Sequence, residues 1–272
     1  MRKAANPAID RAGMKKLLGG MMVEAKGMAP PNSPWFGKPA FDVRYNPAEA
    51  KNLMQAAGYS KEKPLNLKAI ISTFGSGQMQ PLAMNEFIQQ KLAEVGIKGD
   101  LQVMEWNALL ANWRAGAKDA STRGATSTNS SYFSQDPFTA LIRHVDSGLL
   151  PPKGTNCGYY PDTELDTIFK VVRYNFDPEI QAKAIQRAHE RLVNQALFLF
   201  VAHDVGPARD DGPSQGLGAG AKLVPELFVG DGGAVGRQPA GGDRVHLWGQ
   251  APALHRQATG LPEDDRVKQA CL

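Results

Sequence analysis

A chain of 272 residues with 42% hydrophobic and 21% charged residues has the make-up of one large or two small globular domains. Its formal net charge of +4, from 31 basic and 27 acidic residues, is small for that length, and no basic stripe with interleaved aromatics is present, so a nucleic-acid partner is not expected. Two cysteines, Cys157 and Cys271, supply neither a disulfide framework nor a zinc-ligand spacing, and no apolar run approaches the ~20 residues of a membrane-spanning helix.

In chain order, residues from Lys3 to Leu18 predict a helix with Ala8, Ile9, Ala12, Leu17 and Leu18 roughly on one face, stopped by Gly19-Gly20. A Pro-rich aromatic loop, Pro30 to Tyr45, leads to a second helix that Asn46 caps, Pro47 starts and Gly58 ends. Leu65 to Thr73 predicts a strand, Met79 to Val95 a helix with Leu82, Phe87, Leu92 and Val95 inward, and Ile97 to Trp106 a second strand. Asn107 to Ala115 predicts a short helix, Gly124 to Tyr132 a weak strand, and Asp136-Pro137 opens a helical piece to Arg143. Helices follow over Asp162 to Tyr174 and from Asp177-Pro178-Glu179 to about Gln195, then a strand over Leu197 to Ala202. Strands alternating with helices imply an α/β layered domain. From Arg209 onward the composition changes: twelve of the chain's 28 glycines fall here and no periodicity persists, so this stretch is expected to be a disordered tail.

Several segments resemble solute-binding protein family 5, which serves peptide, oligopeptide and nickel importers. Asn6-Pro7-Ala8-Ile9-Asp10-Arg11 is similar to the family's AIDR helix, Tyr45-Asn46-Pro47-Ala48-Glu49-Ala50-Lys51-Asn52-Leu53 to its YdPekAkkLL segment, and Ala57-Gly58-Tyr59 to its aGy. Gln89 to Ile97 resembles iqqqLkevGI, Tyr159 to Asp166 resembles y.np.fD.l, and Leu197 to His203 resembles the strand P.i.l.h. The order and spacing of these weak motifs are specific together, and they cover residues 2–208. The resemblance implies a type II periplasmic-binding-protein-like C-terminal lobe, a mixed sheet flanked by helices. Residues 1–208 would form that lobe, with 1–12 and 197–208 near the hinge, and 209–272 would be the tail. Family members are longer, with two lobes that close over a ligand.

The start at Met1-Arg2-Lys3 lacks the apolar stretch of a secretory signal. Alone this predicts a cytoplasmic protein; with the resemblance, the expectation is that an N-terminal lobe and export signal are missing and that Met1 is an internal codon. An intact relative would be periplasmic or cell-surface. Reading the codons from Asp210 one nucleotide later permits MTAQVKGLVQAQSWFQNFSSVTVA, which looks like the family's own ending. Residues 209–272 are therefore expected to be out-of-frame translation.

No catalytic residue is expected. The histidines, His144, His189, His203, His246 and His255, suit surface or core roles, and Gly75-Ser76-Gly77 lacks the context of a nucleophile elbow or a phosphate loop. No cofactor and no metal is expected. Solute sites need aromatic walls and a few directed polar groups, and in doubly wound sheets they gather at the carboxyl ends of strands. That rule selects Phe74, Ser76 and Gln78 after one strand, Trp106 and Asn107 after the next, Tyr132, Phe133 and Asp136 after the third, and Tyr159 and Tyr160 after the long loop. Each has a plainer reading: Trp106 and Trp113, seven apart, can simply pack; Asp136 can cap a helix; Tyr159 and Tyr160 can be packing residues.

In dipeptide-binding and oligopeptide-binding members, an aspartate three residues before the acid-proline step pairs with the peptide's ammonium group. The resemblance places Phe133 there, so that contact is lost and an apolar face gained. The expected function is the substrate-binding component of an ABC importer for peptides or related organic solutes, a monomer that delivers its solute to membrane permease subunits. With one lobe missing, weak or no binding is expected. The alternatives are a non-functional gene fragment or a cytoplasmic α/β enzyme.

Overall fold

A computed structural model describes residues 1–74, 78–128 and 137–204. The predicted first helix is two: α1 (Arg2–Ala8) and α2 (Arg11–Leu17). The break has a local cause. Ile9 is extended, and the Asp10 carboxylate accepts the Gly13 N–H at 2.8 Å, which starts a new helix. Gly19 and Gly20, at φ +62 and +85, end it. A short strand, β1 (Met22–Glu24), follows, and then a loop to α3 (Pro47–Ala56). Asn46 Oδ1 accepts the Glu49 N–H at 3.1 Å while its Nδ2 donates to the Glu49 carboxylate at 3.1 Å, a reciprocal cap.

Next come β2 (Leu65–Ile71), α4 (Pro81–Ala93), β3 (Ile97–Val103), α5 (Trp106–Ala115) and β4 (Ser127–Thr128). The three strands form a parallel sheet in the order β3-β2-β4, with Leu65 opposite Ile97, Ile71 opposite Val103 and Ile70 opposite Thr128. All three carboxyl ends therefore lie at one edge. Gly96 makes the tight entry to β3. Its φ is +88, and a Cβ there would sit 2.7 Å from the Ser60 backbone carbonyl carbon. On α4, Leu82 faces outward at 41% exposure, contrary to the expected inward face; Pro81, Met84, Asn85 and Leu92 are the buried set. The helix starts at Pro81, two residues later than expected, and the buried stripe runs through 81, 84, 85 and 92, which leaves Leu82 outside it.

Three α-helices follow among the described residues: α6 (Pro137–Ile142), α7 (Thr163–Tyr174) and α8 (Pro178–Asn194). Asp162 and Asp177 cap the last two by accepting N–H groups of Glu164 and Leu165, and of Glu179 and Ile180. The α7–α8 pair packs Leu165, Phe169, Ile185, Ala188 and Leu192 into the largest apolar cluster. A second cluster joins α1, α3 and α4 to the start of β3 through Ala5, Ile9, Met54, Leu92 and Ile97.

The predicted final strand, Leu197 to Ala202, is corrected. Only β5 (Ala202–Asp204) is a strand, and it pairs antiparallel with β1 in a separate two-stranded sheet. Residues 198–200 satisfy their backbone through two buried side chains instead. Asn6 Nδ2 donates to the Phe198 carbonyl at 2.9 Å, and Asn6 Oδ1 accepts the Phe200 N–H at 3.2 Å. Arg11 Nε and Nη2 both donate to the Phe200 carbonyl, at 2.8 and 2.5 Å. A chain whose groups are taken by side chains has no ladder to offer a neighbour.

Candidate functional site

The strand ends carry the candidate site. After β2, the buried Ser72 hydroxyl donates to the Phe74 carbonyl at 2.6 Å and fixes the turn, which leaves the Phe74 ring 61% exposed. Further along, Gln78 Oε1 accepts from Asn85 Nδ2 at 3.2 Å, so α4 orients that amide. Ser76 lies outside the described residues, as do Tyr132, Phe133 and Asp136.

After β3, Glu105 caps α5 by accepting the N–H groups of Asn107 and Ala108 at 2.8 and 3.2 Å. The Asn107 side chain donates back to the same carboxylate at 3.1 Å. Asn107 therefore has its amide engaged in holding the helix start. Trp106, the first residue of α5, meets Trp113 edge to face, with ring centroids 5.7 Å apart and planes at 81°. Trp113 Nε1 donates to Thr128 Oγ1 at 3.1 Å, which ties α5 to the end of β4. Beneath the rings lie Ile70, Leu109 and Ala125, all buried. A crevice beside them is lined by Trp113, Thr128, Asn112, Cys157 and Gly158, among others.

The crevice brings the loop that holds the tyrosines up to α5, but the two tyrosines part company. Tyr159, at φ +49, lies under the Lys118 ammonium, 4.7 Å from its ring centroid, beside Gly116. Tyr160 turns to the α7–α8 cluster, where its hydroxyl donates to Asp162 at 3.4 Å and Arg2 covers its ring at 5.3 Å. Burial, and then the Asp162 charge, push its phenol above the ordinary range. Among the residues proposed from sequence, Trp106 packs on Trp113, which lines the crevice, Tyr159 lies beside Gly116 at the end of α5, and Tyr160 packs against the α7–α8 core. Trp113 and Thr128 are the additions. The seven-residue spacing of the tryptophans was the signal for Trp113; nothing in the sequence marks Thr128.

No base meets a nucleophile at these strand ends among the described residues. His144 is half-buried with its ring against Phe198 and its Nδ1 3.3 Å from the Thr155 carbonyl, and desolvation pushes its pKa down to about 4. Among the described residues no cluster of three or more His, Cys, Asp or Glu is placed to hold a metal ion, and no helix is long and apolar enough to cross a membrane.

Residues 1–147 match the family described as "Bacterial extracellular solute-binding proteins, family 5 Middle". The chain is 26% identical over 191 residues to di/tripeptide-binding protein 2 of Pseudomonas aeruginosa, covering 70% of this chain and 34% of that protein. It is also 26% identical over 211 residues to heme-binding protein A of Haemophilus influenzae, covering 76% and 36%. The chain thus spans about a third of the length of these curated relatives. A solved dipeptide-binding protein of Pseudoalteromonas sp. SM9913, in complex with Met-Leu, superposes with a TM-score of 0.65 at 19% identity, over 75% of this chain and 39% of that one. The likeness in fold is to the type II periplasmic binding proteins.

Proposed function

This chain belongs to family 5 of the bacterial extracellular solute-binding proteins, and from that membership we propose that it is the solute-binding lobe of an ABC importer for peptides or related organic solutes. It binds and delivers its solute, and carries out no chemistry on it. The observation that supports this most is the aromatic wall at the strand ends: Trp106 and Trp113 edge to face, with Trp113 anchored on Thr128. Such a wall takes apolar parts of a ligand while nearby polar groups orient it. A second lobe closes over the bound solute, and the closed form docks on permease subunits in the membrane, in the periplasm or at the cell surface. Closure is a population shift driven by better ligand contact in the closed state.

Phe133 sets the ligand class in this proposal. With no carboxylate there to pair with a free ammonium group, the solute is a modified peptide, an opine-like compound or another organic solute. Calorimetric titration of the chain with free and N-acetylated dipeptides tests this. One lobe alone should bind weakly, with a Kd of about 1 mM or above, and N-acetylation should change it by less than about twofold, since no charge-assisted contact is lost. Tight binding of free dipeptides that N-acetylation abolishes would contradict the ligand class, and hydrolysis of either peptide would contradict the binding role.

A further inference from the structure

The loop between β1 and α3 is not loosely draped. Residues 27–41 form a strap along α8, and four side chains on one face of that helix hold its backbone. Gln186 Nε2 donates to the Pro34 carbonyl at 2.5 Å, and Glu190 accepts the Lys38 N–H at 2.6 Å. Asn194 Oδ1 accepts the N–H groups of Ala40 and Phe41 at 2.7 and 2.9 Å. His189 sits at the centre, fully buried. The spacing of 186, 189, 190 and 194 is a single helical face.

Both nitrogens of His189 are committed to the strap. Nδ1 donates to the Phe36 carbonyl at 2.7 Å, so the ring carries its proton there, and Nε2 accepts the Ala29 N–H at 3.0 Å. The Phe36 ring lies 5.0 Å from the imidazole, and a Cβ on Gly27 would stand 2.5 Å from Nε2. That fit leaves no room for a proton on Nε2: a donor there would face the Ala29 donor. Two groups carry charge to this ring. Glu190, one residue along α8, favours the cation, and His203 on β5 opposes it. The strap itself presents backbone groups and the Phe36 ring. His203 adds a second histidine to the same buried region, and its Nε2 is buried without a hydrogen-bond partner, so its protonation would also bury an unpaired donor.

We propose that His189, seconded by His203, is a proton-sensitive latch: neutral, it holds the strap of residues 27–41 against α8, and protonated, it releases it. The sign follows from burial. Both imidazoles are held below the ordinary value of 6.5, first by desolvation. The released strap, with a solvated imidazole, binds a proton more readily than the closed one. The closed form is therefore fully favoured above about pH 6.5 and loses favour as the pH falls below it. The contacts to Glu190 and Asn194 open together with those of His189, while the parallel sheet keeps its own ladders, so release is local.

The test is amide hydrogen exchange on the full chain across about pH 7 to 5, with protection corrected for the intrinsic rate at each pH. Protection of Ala29, Lys38, Ala40 and Phe41 should fall by up to about tenfold per pH unit below about 6.5, while Ala69 and Ile70 in β2 keep theirs. His189→Gln presents a neutral acceptor and donor on one amide, and should hold the strap at every pH in that range. Should that variant not fold, the wild-type imidazole resonances decide: the midpoint of His189 titration should coincide with loss of strap protection. Strap amides that stay protected throughout would overturn the latch. So would loss of β2 protection in step with the strap, an unchanged pH response in His189→Gln, or strap loss at a midpoint unrelated to His189.

Discussion

Two stretches of extended, apolar chain meet opposite fates in this molecule. Leu65 to Ile71 becomes β2, paired on both sides, with its backbone groups in parallel ladders to β3 and β4. Leu197 to Val201 is just as apolar, yet it lies outside any strand, and at its middle the backbone of Phe198 and Phe200 is bound by the side chains of Asn6 and Arg11, far away in sequence. The difference teaches that apolar content predicts burial, whereas the partner that satisfies the backbone decides whether a strand forms. A ladder spreads that duty over many residues. A clasp concentrates it in two side chains, and should be the easier to break.

The largest effect should come from the clasp. Arg11 is 2% exposed, its guanidinium donating to the carbonyls of Phe200, Asn6 and Ile9. Burial lowers its pKa to about 10, which still leaves it charged at neutral pH. Arg11→Met would strand those carbonyls, at about 1–3 kcal/mol for each buried acceptor left unpaired, so a loss of about 3–5 kcal/mol in urea unfolding is expected. A loss under about 1 kcal/mol would mean that water or a rearranged backbone replaces the clasp.

Acid should act nearly as strongly on the same region. His144 packs on Phe198 and has a pKa depressed to about 4 by burial. The unfolded chain, with its imidazole near 6.5, binds a proton that the folded chain refuses. Stability should thus be full above about pH 6.5 and fall by about 3 kcal/mol towards pH 4. His144→Phe should remove that part of the acid sensitivity in thermal melts taken at several pH values; an unchanged acid limb would show that His144 is not its source.

The ladder side is probed at its weakest joint. Gly96→Ala forces a Cβ into the Ser60 backbone at a φ of +88, and should cost about 2 kcal/mol. The smallest expected effect is Asn46→Ala, which removes the α3 cap for about 1 kcal/mol. If Gly96→Ala proved costlier than Arg11→Met, the contrast between spread and concentrated satisfaction would be wrong.

Much of the framework was legible because short-range chemistry sets it. Asn46 and Asp177 cap the helices expected of them, and Gly19 and Gly58 sit at positive φ where their helices end. What could not be read was long-range. The Asp10 break depends on one side chain choosing the Gly13 N–H over helix continuation, β1 has only three residues, and the 197–201 segment is decided by residues near the N-terminus. The candidate site divides in the same way. Trp106 follows its strand as expected but opens α5, since β3 ends at Val103, and only the structure reveals that Asn107 is engaged by Glu105, that Tyr160 turns to Asp162, and that Trp113 reaches Thr128.

The most direct measurement is an NMR titration of the full chain with N-acetylated and free dipeptides, following the indole N–H signals of Trp106 and Trp113. The account predicts that both indoles shift together, half-saturating at about 1 mM or above, while the Trp35 signal, in the α7–α8 cluster, stays still, and that Trp113→Phe weakens the response. Shifts at Trp35 without shifts at Trp106 and Trp113, or none at any indole at about 10 mM, would contradict a solute site at these strand ends.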